Sequence, residues 1–201
     1  MAIETATRGP YSNGVRRKAE IIDAAVRVFG SKGYGGSTLK EIADEVGVTT
    51  AAILRYFSKE ELLTEVLKYW DNHQPDILGI AGGLSFFRGF RELMFFHLEN
   101  RGFLELFLTF ITEATDPDHP AHQFLIERHA RAIADMRSQL IAAIELNEIP
   151  AMSTQMLDYE SSAFCAMVDG LEIQWLLDPA FDLVGFVTTS IEQAIERWQG
   201  R

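Results

Sequence analysis

The sequence predicts an all-α protein of about nine helices, divided into a small N-terminal domain and a larger C-terminal one. Apolar residues recur with the 3.6-residue period of amphipathic helices, and strand-like alternation never extends beyond a few residues. Gly and Pro mark the breaks, and Ser or Thr precedes the clearest helices. With 201 residues and a hydrophobic content of 47%, the chain can bury a full core.

The first predicted helix runs from Val15 to Lys32, with apolar residues at helical spacing, and ends where a Gly-Tyr-Gly-Gly run begins at Gly33. The preceding residues 1–14 have no apolar segment of signal-peptide type, so we expect a flexible polar arm.

Two capping boxes set the register of the next helices. Thr38 with Glu41 predicts one helix start, and Ser58 with Glu61 predicts another. Later helices are predicted at 59–72, 84–99, 101–115, 119–147, 154–178 and 182–198.

Residues 38–59 between these boxes have the pattern of a helix-turn-helix. Ala43 is small enough for two helices to cross closely, Gly47 can adopt the left-handed turn, and Ile53 can pin the second helix to the first. The opposite face is then free to enter a DNA major groove. We accordingly predict a DNA-binding domain at 15–60 and a C-terminal domain at 61–201.

Net charge supports this division. The whole chain carries −11, yet residues 1–59 hold nine Lys or Arg and six Asp or Glu, a balance of +3. The remainder has nine basic and 23 acidic residues, a balance of −14. Only the N-terminal part can neutralise phosphates, and we expect the acidic body to stay away from the duplex.

The run from Arg16 to Leu63 resembles the DNA-binding domain of TetR-family transcriptional regulators. The shared features are an AAxxxFxxxGY segment, ST before the second helix, EIAxxVGV and YFxxKEEL. Residues 167–179 also resemble a penultimate helix found in many members. The resemblance implies a homodimer that binds palindromic double-stranded operator DNA, and a small effector that binds the C-terminal domain and releases the DNA. By analogy with the family, we expect repression.

The DNA contacts follow from the motif and the resemblance. Arg55 can hold a guanine edge, although a phosphate contact or a solvated position is also open. Tyr56 and Lys59 resemble a phosphate-binding pair of the family, while Tyr56 could instead belong to the core. Many members have Tyr where this chain has Leu54, so operator readout at that position is not transferable. The expected contacts are Thr38, Lys40, Thr49, Thr50, Ala51, Leu54, Arg55, Tyr56 and Lys59.

An effector pocket is expected in the C-terminal part, where 12 of the 14 Phe residues lie. Bulky aromatic residues can enclose an apolar pocket with a few polar groups, although they also fill ordinary cores. Lone His, Glu or Asp residues on apolar helix faces are candidate ligand contacts or satisfied core residues. The expected lining is Phe90, Met94, His97, Phe107, Phe110, Glu113, His129, Met136, Phe164 and Asp169.

The last two helices are the expected dimer interface, because the helix at 154–178 has two apolar faces and needs two partners. A two-sided helix buried within one subunit is the alternative. The expected interface residues are Ala163, Met167, Gly170, Gln174, Phe186, Ile191 and Ile195.

Two other functions are compatible with a helical chain: a metal-dependent helical enzyme, and a helical adaptor that keeps the fold without operator binding. The five His residues form no ligand spacing, and there is no phosphate loop or nucleophile motif. We therefore expect no catalysis, metal or cofactor. Cys165 is the only cysteine, and no apolar run is long enough to span a bilayer, so the protein is expected in the cytoplasm without a membrane partner.

Overall fold

The computed structural model describes residues 10–73 and 82–200, and all regular structure in these two ranges is helical. This confirms the predicted all-α fold. The helices of the described chain are α1 (Pro10–Lys32), α2 (Leu39–Val46), α3 (Thr50–Leu54), α4 (Lys59–His73), α5 (Leu84–Glu99), α6 (Arg101–Glu113), α7 (His122–Glu145), α8 (Thr154–Leu177) and α9 (Leu183–Trp198).

Helix boundaries differ from the prediction in a few places. Helix α1 begins at Pro10 rather than Val15, so residues 10–14 of the predicted arm are helical, and residues 1–9 lie outside the described ranges. Proline suits a first helical position, where its missing N–H would have no intrahelical acceptor. Helix α7 stops at Glu145, because Asn147 takes a left-handed conformation with φ 58°.

Both predicted capping boxes are present. The Thr38 hydroxyl accepts a hydrogen bond from the Glu41 N–H at 3.2 Å, and the Thr38 N–H donates to the Glu41 carboxylate at 2.9 Å. Ser58 and Glu61 exchange the same two bonds at 3.1 and 2.7 Å. Between them Gly47 ends α2 with φ 76°. The ends of the helix-turn-helix are therefore fixed by hydrogen bonds between residues three positions apart.

The C-terminal bundle is built on the pairing of α5 with α9 and of α7 with α8. Phe87 of α5 contacts Phe164 of α8 and Trp198 of α9 through edge-on rings, with centroids 5.0 and 4.8 Å apart. Glu160, buried on α8, accepts bonds from Arg197 at 2.7 Å and from the Trp198 indole at 2.9 Å. Aromatic packing and one charged bond thus join α8 to α9 inside the subunit.

Helix α1 connects the two parts of the molecule. It packs on α2 and α4 within the N-terminal domain and on α6 of the C-terminal bundle. At the second contact the rings of Phe29 and Phe110 meet edge-on at 6.0 Å, and both side chains are fully buried. A displacement of α6 would therefore disturb its packing against α1.

The turn at Gly47 provides a stability test with an internal control. A Cβ at Gly47 or at Gly102 of α6 would meet no atom within 4 Å, but only Gly47 has a positive φ. We expect Gly47→Ala to lower the free energy of unfolding by about 1 kcal/mol through backbone strain. Gly102→Ala should raise it by about 0.5 kcal/mol by restricting the unfolded chain. Urea unfolding of both variants measures the difference, and equal effects would contradict the assigned strain.

Candidate DNA-binding surface and ligand cavity

The recognition face predicted for α3 is open to solvent. Ile53 is fully buried, whereas Leu54 is 57% exposed and Ala51 and Arg55 are also exposed. Arg55 forms no ion pair with another described residue, which leaves its guanidinium group available. The short helix thus keeps one side in the domain core and presents the other outward.

The threonines and Lys40 of this surface already have local partners. Thr49 caps α3 by accepting from the Ala52 N–H at 3.2 Å, and the Thr38 hydroxyl also donates to Glu41 at 2.9 Å. Thr50, in the first turn of α3, is half-buried. Lys40 pairs with Asp44 at 3.0 Å, although both side chains are largely exposed. An exposed pair of this kind is weak, so Lys40 can exchange Asp44 for a phosphate.

Lys59 lies at the start of α4 and holds the turn that follows α1. Its ammonium group donates to the Tyr34 carbonyl at 2.7 Å and lies 4.3 Å from the centre of the Tyr34 ring. A lysine has three N–H donors, so this bond leaves two for a phosphate. Tyr56 is 36% exposed, which fits a surface contact better than a core position.

The same turn is held from the other side by the C-terminal domain. The Glu113 carboxylate at the end of α6 accepts from the Tyr34 N–H at 3.3 Å. His119 in the following loop packs edge-on against the Tyr34 ring at 5.2 Å and lies 3.8 Å from Glu113. Gly33 is required here, because a Cβ would lie 2.7 Å from a Glu113 oxygen and φ is 69°. We call Tyr34, Lys59, Glu113 and His119 the junction.

A cavity of about 530 Å³ opens inside the C-terminal bundle, among α4, α5, α6, α7 and α8. Six of the ten predicted effector contacts line it, namely Phe90, His97, Phe107, His129, Met136 and Asp169.

The other four predicted contacts lie elsewhere, which corrects the prediction for Met94, Phe110, Glu113 and Phe164. Met94, Phe110 and Phe164 are buried in the packed core, where an aromatic or sulfur side chain fills space between helices. Glu113 belongs to the junction. Helical period alone distinguishes an inward face from an outward one, but not the cavity wall from the solid core.

A buried acid–imidazole pair forms one wall of the cavity. His97 Nδ1 lies 2.6 Å from Glu172 Oε1, and the two residues are 5% and 3% exposed. The imidazole stacks on Trp70 with 5.3 Å between ring centres, and its Nε2 has no partner among the described residues. Sequence reasoning found His97 but missed Trp70 and Glu172. The position of Glu172 three residues after Asp169, on the same helix, was the available indication.

Arg128 and Asp169 are among the other charged groups that line the cavity. Arg128 bonds Asp71 at 2.7 Å and stands 4.2 Å from the centre of the Phe107 ring. Asp169 is half-buried, and burial together with the nearby Glu172 charge raises its pKa to about 6. Burial and Asp169 likewise raise the pKa of the Cys165 thiol, which also lines the cavity, to about 11.

The predicted dimer residues divide into two groups. Ala163, Met167 and Gly170 are half-buried, and Gln174 and Phe186 are exposed. Ile191 and Ile195 are buried within the subunit, on the face of α9 that packs against its own bundle. The expectation that these two isoleucines face a partner is therefore wrong.

The described residues contain no group of three or more His, Cys, Asp or Glu side chains arranged to hold a metal ion. None of the helices within residues 10–73 and 82–200 is both long and apolar enough to cross a bilayer.

An exposed helix-turn-helix face on a helical body with an internal cavity is the architecture of a helix-turn-helix transcriptional regulator. Residues 21–66 match the model described as bacterial regulatory proteins, tetR family. This match covers the helix-turn-helix and the start of α4, so the N-terminal part of the chain is similar to the DNA-binding domain of that family. The curated relatives that match are named as HTH-type transcriptional regulators or repressors.

Individual relatives agree with this assignment. The HTH-type transcriptional repressor KstR2 of Rhodococcus jostii (strain RHA1) is 28% identical over 132 residues, which are 65% of this chain and 58% of that repressor. The match thus spans less than two thirds of the relative.

Solved structures share the fold over nearly the whole chain. The regulator FadR from Bacillus subtilis, in complex with stearoyl-CoA, has a TM-score of 0.73 at 20% identity, covering 88% of this chain and 97% of that one. A transcriptional regulator from Saccharomonospora viridis, in complex with choline, has a TM-score of 0.72 at 21% identity, covering 90% and 96%.

The raised pKa of Asp169 makes stability depend on pH. The ionised carboxylate is less favourable in the folded chain than in the unfolded chain, so the penalty is absent at low pH and complete above about pH 6. We expect Asp169→Asn to stabilise the protein at pH 8 by on the order of 1–2 kcal/mol, and by less at pH 5. Urea unfolding at both pH values measures this. Glu127→Gln, on the exposed side of α7, is the control, and a pH-independent gain for Asp169→Asn would contradict the assignment.

Proposed function

We propose that the protein is a ligand-responsive repressor that binds a palindromic operator as a homodimer and leaves it when a small, largely apolar effector enters the cavity. The observation that carries the proposal is the position of α6. One part of this helix lines the cavity through Leu104 and Phe107, and its end holds the DNA-binding domain through Glu113. A ligand and the operator can therefore act on the same rigid element.

The DNA contacts of the proposal are those of the exposed α3 face and the capped helix starts around it. Ala51 and Leu54 of α3 and Arg55 at its end are exposed, which supports a role for them in meeting base edges. Thr38, Lys40, Thr49, Tyr56 and Lys59 lie on the rim, where phosphate contacts fix the docking angle. Leu54 offers only apolar contact, for which the thymine methyl is the matching group.

The relatives support a small-molecule effector. KstR2 is named a repressor, and the solved structures of FadR and the Saccharomonospora viridis regulator hold stearoyl-CoA and choline, respectively. The cavity of this chain, with aromatic walls and a few buried polar groups, has the character of a small-molecule site.

The outer face of α8 supports the homodimer. Tyr159, Ile173 and Leu177 lie on one side of this helix and are exposed, Leu177 by 81%. Small residues lie between them, and Gly170 has nothing within 4 Å of a built Cβ, so a second helix can approach closely. Exposed apolar faces of this kind are typical of protein interfaces. Phe186, stacked on Phe181 at 4.6 Å, extends the face onto α9. The proposed interface keeps Ala163, Met167, Gly170, Gln174 and Phe186.

Selection of DNA from a random pool by the purified protein tests operator binding and symmetry together. A two-fold symmetric site with half-sites about one helical turn apart is expected, because a dimer presents two α3 helices. Sedimentation of the protein with the selected DNA should give two chains per site. Enrichment of no sequence would refute operator binding, and a single asymmetric half-site bound by one chain would refute the dimer alone.

The two kinds of DNA contact are separable by mutation. Arg55→Ala should lose about 1–3 kcal/mol on the selected operator and much less on random DNA, because it removes a base contact. Lys59→Ala should weaken both DNAs alike and lower the salt-dependence slope by about one, because it removes a phosphate contact.

Fluorescence anisotropy across a salt series measures both effects. Lys68→Ala, at an exposed site farther along α4, is the matched control and should change neither affinity. Equal losses on specific and random DNA for Arg55→Ala would show that the arginine binds phosphate instead. Thermal melting of Lys59→Ala checks that loss of the Tyr34 bond leaves the domain folded.

A further inference from the structure

The cavity lining has an excess of negative charge. Four carboxylates face it against two guanidinium groups; these are Asp71, Asp135, Asp169, Glu172, Arg128 and Arg131. Asp71 is already bonded to Arg128. Asp169 has no hydrogen-bond partner among the described residues, and Glu172 is bonded to an imidazole rather than a guanidinium group. Because a carboxylate that is shielded from water needs a partner, the part of the cavity next to Asp169 and Glu172 favours a cation.

The same region contains an unused hydrogen-bond acceptor. A carboxylate can only accept, so we assign the proton of the His97–Glu172 bond to Nδ1. In the neutral ring Nε2 then carries a lone pair, and this nitrogen is buried without a partner in the described chain. An unmet buried acceptor is unfavourable, so a ligand that donates a hydrogen bond to Nε2 is preferred over one that cannot.

Aromatic rings complete the surroundings of this position. Trp70 stacks on His97, and Phe107 already has the Arg128 guanidinium group over its face. Phe90 lines the cavity on α5. The faces of such rings attract cations as well as apolar groups. The walls are therefore suited to an apolar body that ends in a positive charge.

We propose that the cavity binds a protonated primary or secondary amine on an apolar body, with an N–H donating to His97 Nε2 and the charge balanced by Asp169 and Glu172. This inference rests on the proposed role of the cavity as the effector site. A carboxylate of the same skeleton would meet the acidic excess. An alcohol would supply the donor without the charge, and a quaternary ammonium would supply the charge without the N–H donor.

A series of four probes on one skeleton tests the proposal on the full chain. The probes are 6-phenylhexylamine, 6-phenylhexanol, 6-phenylhexanoate and trimethyl(6-phenylhexyl)ammonium, titrated at pH 7 by calorimetry and followed by thermal shift. The amine should bind at least about tenfold more tightly than each of the other three, since one charge pair or one satisfied buried acceptor is worth about that factor.

Asp169→Asn separates charge recognition from simple burial. We expect the variant to lose about tenfold in affinity for the amine and to keep its affinity for the alcohol, because only the amine uses the carboxylate charge. Glu127→Gln removes the same charge from α7 outside the cavity and should leave both affinities unchanged. Melting curves of the two variants establish that each is folded.

The outcomes distinguish this inference from the proposed function beneath it. Tighter binding of the carboxylate or the alcohol, or an unchanged amine preference in Asp169→Asn, would overturn the amine while leaving the cavity as an effector site. Equal binding of the quaternary ammonium would remove the role of His97 Nε2 and so overturn the proposal as stated. No binding of any probe would count against both the amine and the effector site.

Discussion

The backbone turn at Tyr34 is hydrogen-bonded from both parts of this molecule. Tyr34 follows the end of α1, and its N–H and carbonyl are bonded from opposite sides by Glu113 and Lys59. Glu113 belongs to the C-terminal bundle and Lys59 to the helix that follows the recognition helix. The turn after α1 is therefore bonded both to the end of α6 and to the start of α4, beside the direct packing of α1 on α6.

The cavity wall has a different physical basis from the core around it. Phe87 and Phe164 pack ring against ring, and such contacts need only volume and shape. His97 and Glu172 are polar groups taken out of water, stable only because each satisfies the other. His97 Nε2 has no hydrogen-bond partner among the described residues, and the nearby Asp169 has a raised pKa. Buried polar groups with a perturbed pKa or without a hydrogen-bond partner are common in binding sites.

Local rules predicted the helices and the turn of the helix-turn-helix well, because the determining interactions lie a few residues apart. The capping boxes and the turn at Gly47 are of this kind, and they were assigned correctly. The cavity depends on which helices meet, so the contacts of His97 with Trp70 and with Glu172, which lies 75 residues further along the chain, could not be predicted from spacing. The prediction that Ile191 and Ile195 lie in the dimer interface was wrong for a related reason. An apolar helix face needs a partner, and the sequence does not say whether that partner belongs to the same subunit or to another.

The thiol of Cys165 lies in the cavity wall with a pKa of about 11. At neutral pH the thiol is therefore mostly protonated, and the thiolate is the form that attacks disulfides, peroxides and electrophiles. The only cysteine of the chain is accordingly a weak nucleophile at that pH. Its unique position also makes it a specific attachment point for a spectroscopic label, introduced at high pH, that would report directly on cavity occupancy.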